Sequence, residues 1–211
     1  MPQKLINELP AYFPESLAQR GKIMRLRRGE YLFHRGEAVT WLSYILEGEL
    51  KAVRAQPEGA ECVMVRGVSG EFFAESSLAT DRYVCDGIAV CATRLLLVPA
   101  DEVRQTLCQS NDFALGFALA IARQARKQCS RYERVRLKRA RDRVLHFLAC
   151  ESSPEGIINL SAPMVDLACE LALEPETLYR TLAELETEGF LERNNRQLRV
   201  IGMQSHEVAG S

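Results

Sequence analysis

Pro175–Val200 reads PETLYRTLAELETEGFLERNNRQLRV. Proline is tolerated in a helix's first turn, where its missing N–H costs nothing. Leu178, Leu182 and Leu185 then recur at the spacing of one helix face, and Gly189 supplies a stop. FLERNNRQLRVIG alternates around Asn194 and Asn195, predicting a hairpin with a type I′ turn. Upstream, Pro163 sits in the first turn of another helix. Val165, Leu167, Ala168 and Leu171 give that helix an apolar face, and Ala172, Leu173 and Glu174 form a short break. Two short helices across a tight break, followed by a hairpin, make a winged helix-turn-helix. The apolar spacing alone fits a helical cap with a hairpin equally well. The outward face of the second helix favours the first reading. Glu176, Thr177, Tyr179 and Arg180 point away from the leucines. Arginine pairs with guanine edges and glutamate accepts from cytosine N4, so Glu176 and Arg180, one turn apart, can read a G·C step. Thr177 suits a phosphate. Arg193, Arg196 and Arg199 in the hairpin either add backbone contacts or form a solvated basic surface.

The preceding chain has two textures. From Leu26 to about Pro99, short apolar and β-branched pieces are separated by turns at Arg28-Gly29, Arg35-Gly36, Glu47-Gly48, Glu58-Gly59 and Ser69-Gly70. That punctuation predicts a sandwich or barrel. From Asn111 to Ser152 there is no proline. Phe113, Phe117, Ala120, Ile121, Gln124, Gln128 and Tyr132 recur at three- and four-residue steps, predicting a long helix with one stripe. Such a stripe packs either on its own barrel or on a twin copy as a coiled coil, and the length favours the twin. A hinge is expected near Arg136 to Lys138, with a further helix from about Arg139.

The 211 residues carry a formal net charge of −1 and are 47% hydrophobic. That supports a packed core and excludes a uniformly basic coat, although a local basic face is compatible with it. The N-terminus lacks a signal-peptide core and no apolar run is long enough to span a bilayer, so a soluble, cytoplasmic protein is expected. Seven cysteines without CxxC spacing read as buried, reduced thiols rather than a disulfide frame or metal site. The three histidines, His34, His146 and His206, lie in different segments, which argues against a cupin-like metalloenzyme and against catalysis.

Taken together, GEYLFHRGE (Gly29–Glu37), LSYILEGELK (Leu42–Lys51), GEFFAES (Gly70–Ser76), RDRVLHFL (Arg141–Leu148) and LALEPETLYRTLAELETEGFL (Leu171–Leu191) resemble the CRP/FNR family of transcription regulators over nearly the whole chain. The resemblance implies an α+β architecture: a β-roll sensor of the cyclic-nucleotide-binding type (1–109), a dimerisation helix (110–138), a winged helix-turn-helix (139–205) and a tail (206–211). It implies a homodimer on palindromic double-stranded DNA, with RNA polymerase as a partner if the protein activates. Ala172 stands where the family usually has glycine, and Tyr179 replaces a small residue.

In cyclic-nucleotide-binding relatives a Gly-Glu pair holds the ribose and Arg-Ser/Thr holds the phosphate. Here Glu75 fits the ribose position, followed by Ser76, but Ala74 replaces the glycine. Tyr83 and Val84 stand at the phosphate position, with Arg82 one residue early. A one-residue offset turns a strand side chain to the other face, and a buried phosphate then lacks its countercharge. Gln128 and Cys129 occupy the adenine-facing positions. These departures argue against a cyclic nucleotide and leave the effector open. Haem through His34, Cys85 or Cys91, or a redox signal at Cys85 and Cys91, are the alternatives. An iron–sulfur cluster lacks the clustered thiolates it needs.

Overall fold

The computed structural model describes residues 3–55, 61–160, 163–194 and 196–201. The Glu58-Gly59 turn, Asn195, His206 and the tail lie outside them. The chain divides into two compact units, Met1–Arg126 and Lys127–Ser211. The border falls inside a helix rather than near residue 109.

The first unit is built on β1 (Lys22–Leu26), β2 (Tyr31–Phe33), β3 (Trp41–Glu47), β4 (Glu49–Ala55), β5 (Glu61–Val68), β6 (Phe72–Phe73), β7 (Asp86–Ala89) and β8 (Thr93–Pro99). They form two four-stranded antiparallel sheets, ordered β1-β8-β3-β6 and β2-β7-β4-β5. Gly29, Gly36, Gly48 and Gly70 all have positive φ. Gly48 has a further constraint, because a Cβ there would meet the Ala92 carbonyl at 2.6 Å.

The first sheet is buried on both faces, and the two-residue period divides its side chains between two cores. Ile45, Leu95, Leu97 and Phe73 face the other sheet, joining Leu26, Phe33, Leu50, Ala52, Tyr83 and Ala89. Leu42, Tyr44, Leu96, Val98 and Phe72 face a helical layer. That layer comprises α1 (Gln3–Ile6), α2 (Glu15–Gln19), α3 (Ala100–Gln109) and the first turns of α4 (Asn111–Arg136). Phe13 stacks on Phe72 and meets Phe113 edge-on. The ring of Tyr12 lies on Gly116, where a Cβ would sit 2.2 Å from it.

The second unit contains the end of α4, α5 (Ala140–Glu151), β9 (Ile157–Asn159), α6 (Met164–Glu170), α7 (Pro175–Thr187), β10 (Leu191–Asn194) and β11 (Gln197–Val200). The hairpin has a third strand, giving the order β10-β11-β9, and Asn194, expected in the turn, lies in β10 paired with Gln197. Leu178, Leu182 and Leu185 of α7 are fully buried with Leu171, Leu191, Leu198 and Phe147. Two details of α6 differ from the sequence reading: Pro163 is its N-cap, and Val165 is half exposed.

Ala172, in the break between α6 and α7, has φ 52°, and Ala74 has φ 65°. Both alanines replace glycines expected from the family pattern, and the chain keeps the left-handed backbone regardless, at about 1 kcal/mol or more each. Arg143 ties the break down. It donates to the carbonyls of Leu137 at 2.7 Å, Ala172 at 2.7 Å and Leu171 at 3.3 Å.

The expected burial of the cysteines fails: Cys62, Cys108, Cys129, Cys150 and Cys169 are exposed, and Cys85 and Cys91 are half-buried. The five exposed ones lie in β5, α3, α4, α5 and α6. All seven are free.

Candidate nucleic-acid interface and sensor pocket

The inner face of α7 is locked in the core, so its outer face is fixed in orientation. Glu176, Tyr179 and Arg180 are exposed there and Thr177 is half-buried. Glu176 lies in the first turn, where the helix dipole favours an anion. Among the described residues neither the Glu176 carboxylate nor the Arg180 guanidinium has a hydrogen bond or ion pair, which leaves both available to a ligand. Beyond Arg180 the same face presents Ala183, Glu184 and Thr187, all exposed.

The expected hairpin cations separate into different environments. Arg196 is exposed at the tip. Arg199 lies 3.8 Å from Glu192, both largely solvated. Arg193 is engaged: its guanidinium pairs with Glu186 of α7, and its backbone N–H donates to the same carboxylate at 3.1 Å. That hydrogen bonding holds the Glu186 carboxyl below the usual range. A two-point contact on the helix withdraws Arg193 from the solvent-facing set. Sequence reasoning missed it, because the two residues meet only once the hairpin folds against α7. Glu188 is similarly gripped by Arg141, at 2.8 and 2.5 Å.

The long helix also differs from expectation. Phe113 is fully buried, Phe117 and Ala120 pack in the same helical-layer core, and Gln124 donates to the Phe72 carbonyl at 2.7 Å. Four residues of the expected stripe thus serve their own unit. The exposed face is another one. Leu115, Ala118, Ala122, Ala125, Cys129, Tyr132 and Arg136 are all exposed, at alternating three- and four-residue steps that are the a and d positions of a heptad. Ile121 and Gln128, both half-buried, flank this seam. Of the expected dimer residues, Tyr132 lies on it.

At the other end of α4, Arg134 is fully buried. It reaches Glu151 at 3.0 Å and Glu170 at 3.5 Å and lies over the Phe147 ring at 5.0 Å. Arg131 reaches Glu170 at 3.1 Å.

In the sensor unit, Glu75 opens a short 3-10 helix, Glu75–Ala79, directly after left-handed Ala74. Burial raises the Glu75 carboxyl above the usual range, and Glu71 adds to the shift. Ser76 is exposed. Arg82 is exposed and donates to the Gly36 carbonyl at 2.7 Å. The backbone of the same residue bridges to Ala38. Tyr83 is buried, stacked on Phe33 with centroids 3.8 Å apart, and donates its hydroxyl to the Trp41 carbonyl at 2.8 Å. Val84 is 44% exposed, and its carbonyl accepts Arg54 at 3.2 Å. Burial raises the Cys85 thiol, against the opposing charge of Arg54. His34 stacks on Tyr31 and lies 3.5 Å from Asp86. Gln128 and Cys129 belong to the second unit. Among the described residues no cluster of three or more histidine, cysteine or acidic side chains could hold a metal, and no helix is long and apolar enough to cross a membrane.

The family model of the cyclic nucleotide-binding domain matches residues 23–110. Solved structures match the whole architecture. FixK2 from Bradyrhizobium japonicum superposes with a TM-score of 0.74 at 19% identity, over 86% of this chain and 93% of that one. A CooA mutant from Carboxydothermus hydrogenoformans gives 0.75 at 17% identity, over 96% and 92%. A transcriptional regulator of the CRP/FNR family from Thermus thermophilus gives 0.60 at 18% identity, over 86% and 94%. No curated protein matches the sequence. The fold therefore defines a cyclic-nucleotide-binding-type β-roll followed by a long helix and a winged helix-turn-helix. This chain has the fold of the CRP/FNR regulators.

Proposed function

We propose that the protein is a sequence-specific DNA-binding transcription regulator, acting as a homodimer on a palindromic operator and without enzymatic activity. One observation carries the reading. Glu176 and Arg180 stand exposed and unpartnered one turn apart, on the outer face of a helix whose inner face is immobilised by three buried leucines. An acid and a base so placed match the cytosine and guanine edges of one G·C step. Tyr179 between them gives this operator its own preference. Arg196 and Thr177 serve phosphates, which fix register.

The second copy docks on the seam from Leu115 to Arg136, where the alanines allow close approach of two helices. An effector at the sensor unit shifts how these helices pair and so sets the spacing of the two α7 helices. Arg82 turned to Gly36 and Tyr83 stacked on Phe33 favour an effector other than a cyclic nucleotide. The alternatives are haem, or a redox signal at the half-buried Cys85 and Cys91. The protein works in the cytoplasm and engages RNA polymerase if its operator position makes it an activator. Arg180→Ala tests the base-reading assignment: genome-wide pull-down should lose the wild-type sites while light scattering still reports a dimer. Unchanged sites would overturn it.

A further inference from the structure

We propose that Glu186 is a positioning residue for the wing, and that Arg193 serves this contact rather than a DNA phosphate. The inference rests on the DNA-binding reading above and deepens it.

Glu186 projects from the last turns of α7 towards β10. Its carboxylate makes two contacts with a single residue of the wing, one to the Arg193 backbone N–H at 3.1 Å and one to the Arg193 guanidinium. A side-chain pair alone would hold only two flexible chain ends. The N–H contact fixes the main chain of β10 itself. Arg193 pairs in register with Leu198, and the next pair, Asn194 with Gln197, closes the wing tip. Holding residue 193 therefore sets where the tip and Arg196 lie relative to Arg180. Both partners are about three-quarters buried, with 26% and 29% side-chain exposure, so the contact is less screened than a surface pair.

The charge signs make the idea testable. Glu186 is an anion on a unit that must approach a polyanion. If it were only an incidental charge, neutralising it would strengthen DNA binding, because long-range repulsion falls. If it positions the wing, neutralising it weakens binding despite that gain. Arg193 gives the complementary contrast. A cation on a phosphate contributes about 0.9 to the slope of log affinity against log salt. A cation already satisfied by Glu186 contributes almost nothing.

The experiment uses the full-length protein and a duplex that the wild type selects from a random-sequence library. Glu186→Gln should weaken binding about fivefold, equivalent to one lost hydrogen bond of about 1 kcal/mol. Arg193→Gln should weaken it by a similar factor with an unchanged salt slope. The double variant should be no weaker than either single one. A slope reduced by about 0.9 per protomer in Arg193→Gln, or tighter binding by Glu186→Gln, would overturn the proposal. Amide exchange at Arg193 reports the contact without DNA. It should quicken in Glu186→Gln, and unchanged exchange would count against the latch. If the wild type selects no sequence, the DNA reading itself falls, and the exchange result alone decides the contact.

Discussion

Arg134 has a buried charge whose partners can be removed one at a time. Its side chain has no exposure, its nearest anions are Glu151 at 3.0 Å and Glu170 at 3.5 Å, and its Nε and Nη1 lack hydrogen bonds. With an effective dielectric of about 20, attraction at the Glu170 distance is about 5 kcal/mol. Glu170→Gln removes it while keeping a hydrogen-bond acceptor, so the expected loss is about 3 kcal/mol, the scale found when one member of a buried pair is deleted. Glu151 is 29% exposed; water replaces part of its role, and Glu151→Gln should cost about 1 kcal/mol. Arg134→Met leaves Glu170 with Arg131 and removes the desolvated charge altogether, so its stability should lie within about 1 kcal/mol of wild type or above it. Urea unfolding at fixed protein concentration resolves the order. Trp41 is the single tryptophan and lies in the first unit, so its fluorescence reports that unit, while ellipticity at 222 nm follows both. With a slope of about 1–1.5 kcal/mol/M, Glu170→Gln should lower the helical midpoint by about 2–3 M and leave the Trp41 transition in place. A midpoint for Arg134→Met as low as that of Glu170→Gln would refute the reasoning.

Three further outcomes are expected. Ala172→Gly should raise the helical midpoint, by an amount equivalent to about 0.5–1 kcal/mol of stability, because relief of left-handed strain exceeds the entropy glycine adds to the unfolded chain. The Glu75 carboxyl is raised in the folded state, so the folded form binds its proton more tightly; that stabilisation is complete below the unfolded value of 4.5 and is lost as pH rises through the folded value. Glu75→Gln should therefore raise the Trp41-monitored midpoint at pH 7 to 8 and give no gain near pH 4. Ala122→Glu places a charge in the exposed seam and should give a monomer in light scattering with both unfolding transitions intact; a persistent dimer would move the interface elsewhere.

What the sequence made legible followed local rules. The α7 leucines, the Gly189 stop and the turn glycines each act within a few residues, and periodicity or backbone stereochemistry identifies them directly. The long helix misled because large apolar residues dominate a periodicity search. Phe113 and Phe117 fill the helical-layer core of their own unit, whereas the exposed seam is mostly alanine and carries a weak hydropathy signal. Strand β9 has three residues, too few for an alternation to register. Arg193 looked like any hairpin cation until the fold placed Glu186 beside it. Arg82 was ambiguous by one residue of register, and only the fold shows it turned to the Gly36 carbonyl.

The most direct test of the central claim is selection of duplexes from a random-sequence library by the full-length protein. An enriched inverted repeat is expected, with G·C steps in each half-site and half-sites about one helical turn, or about 34 Å, apart. No enrichment, or enrichment of a single unrepeated half-site, would contradict a dimer reading DNA through Glu176 and Arg180.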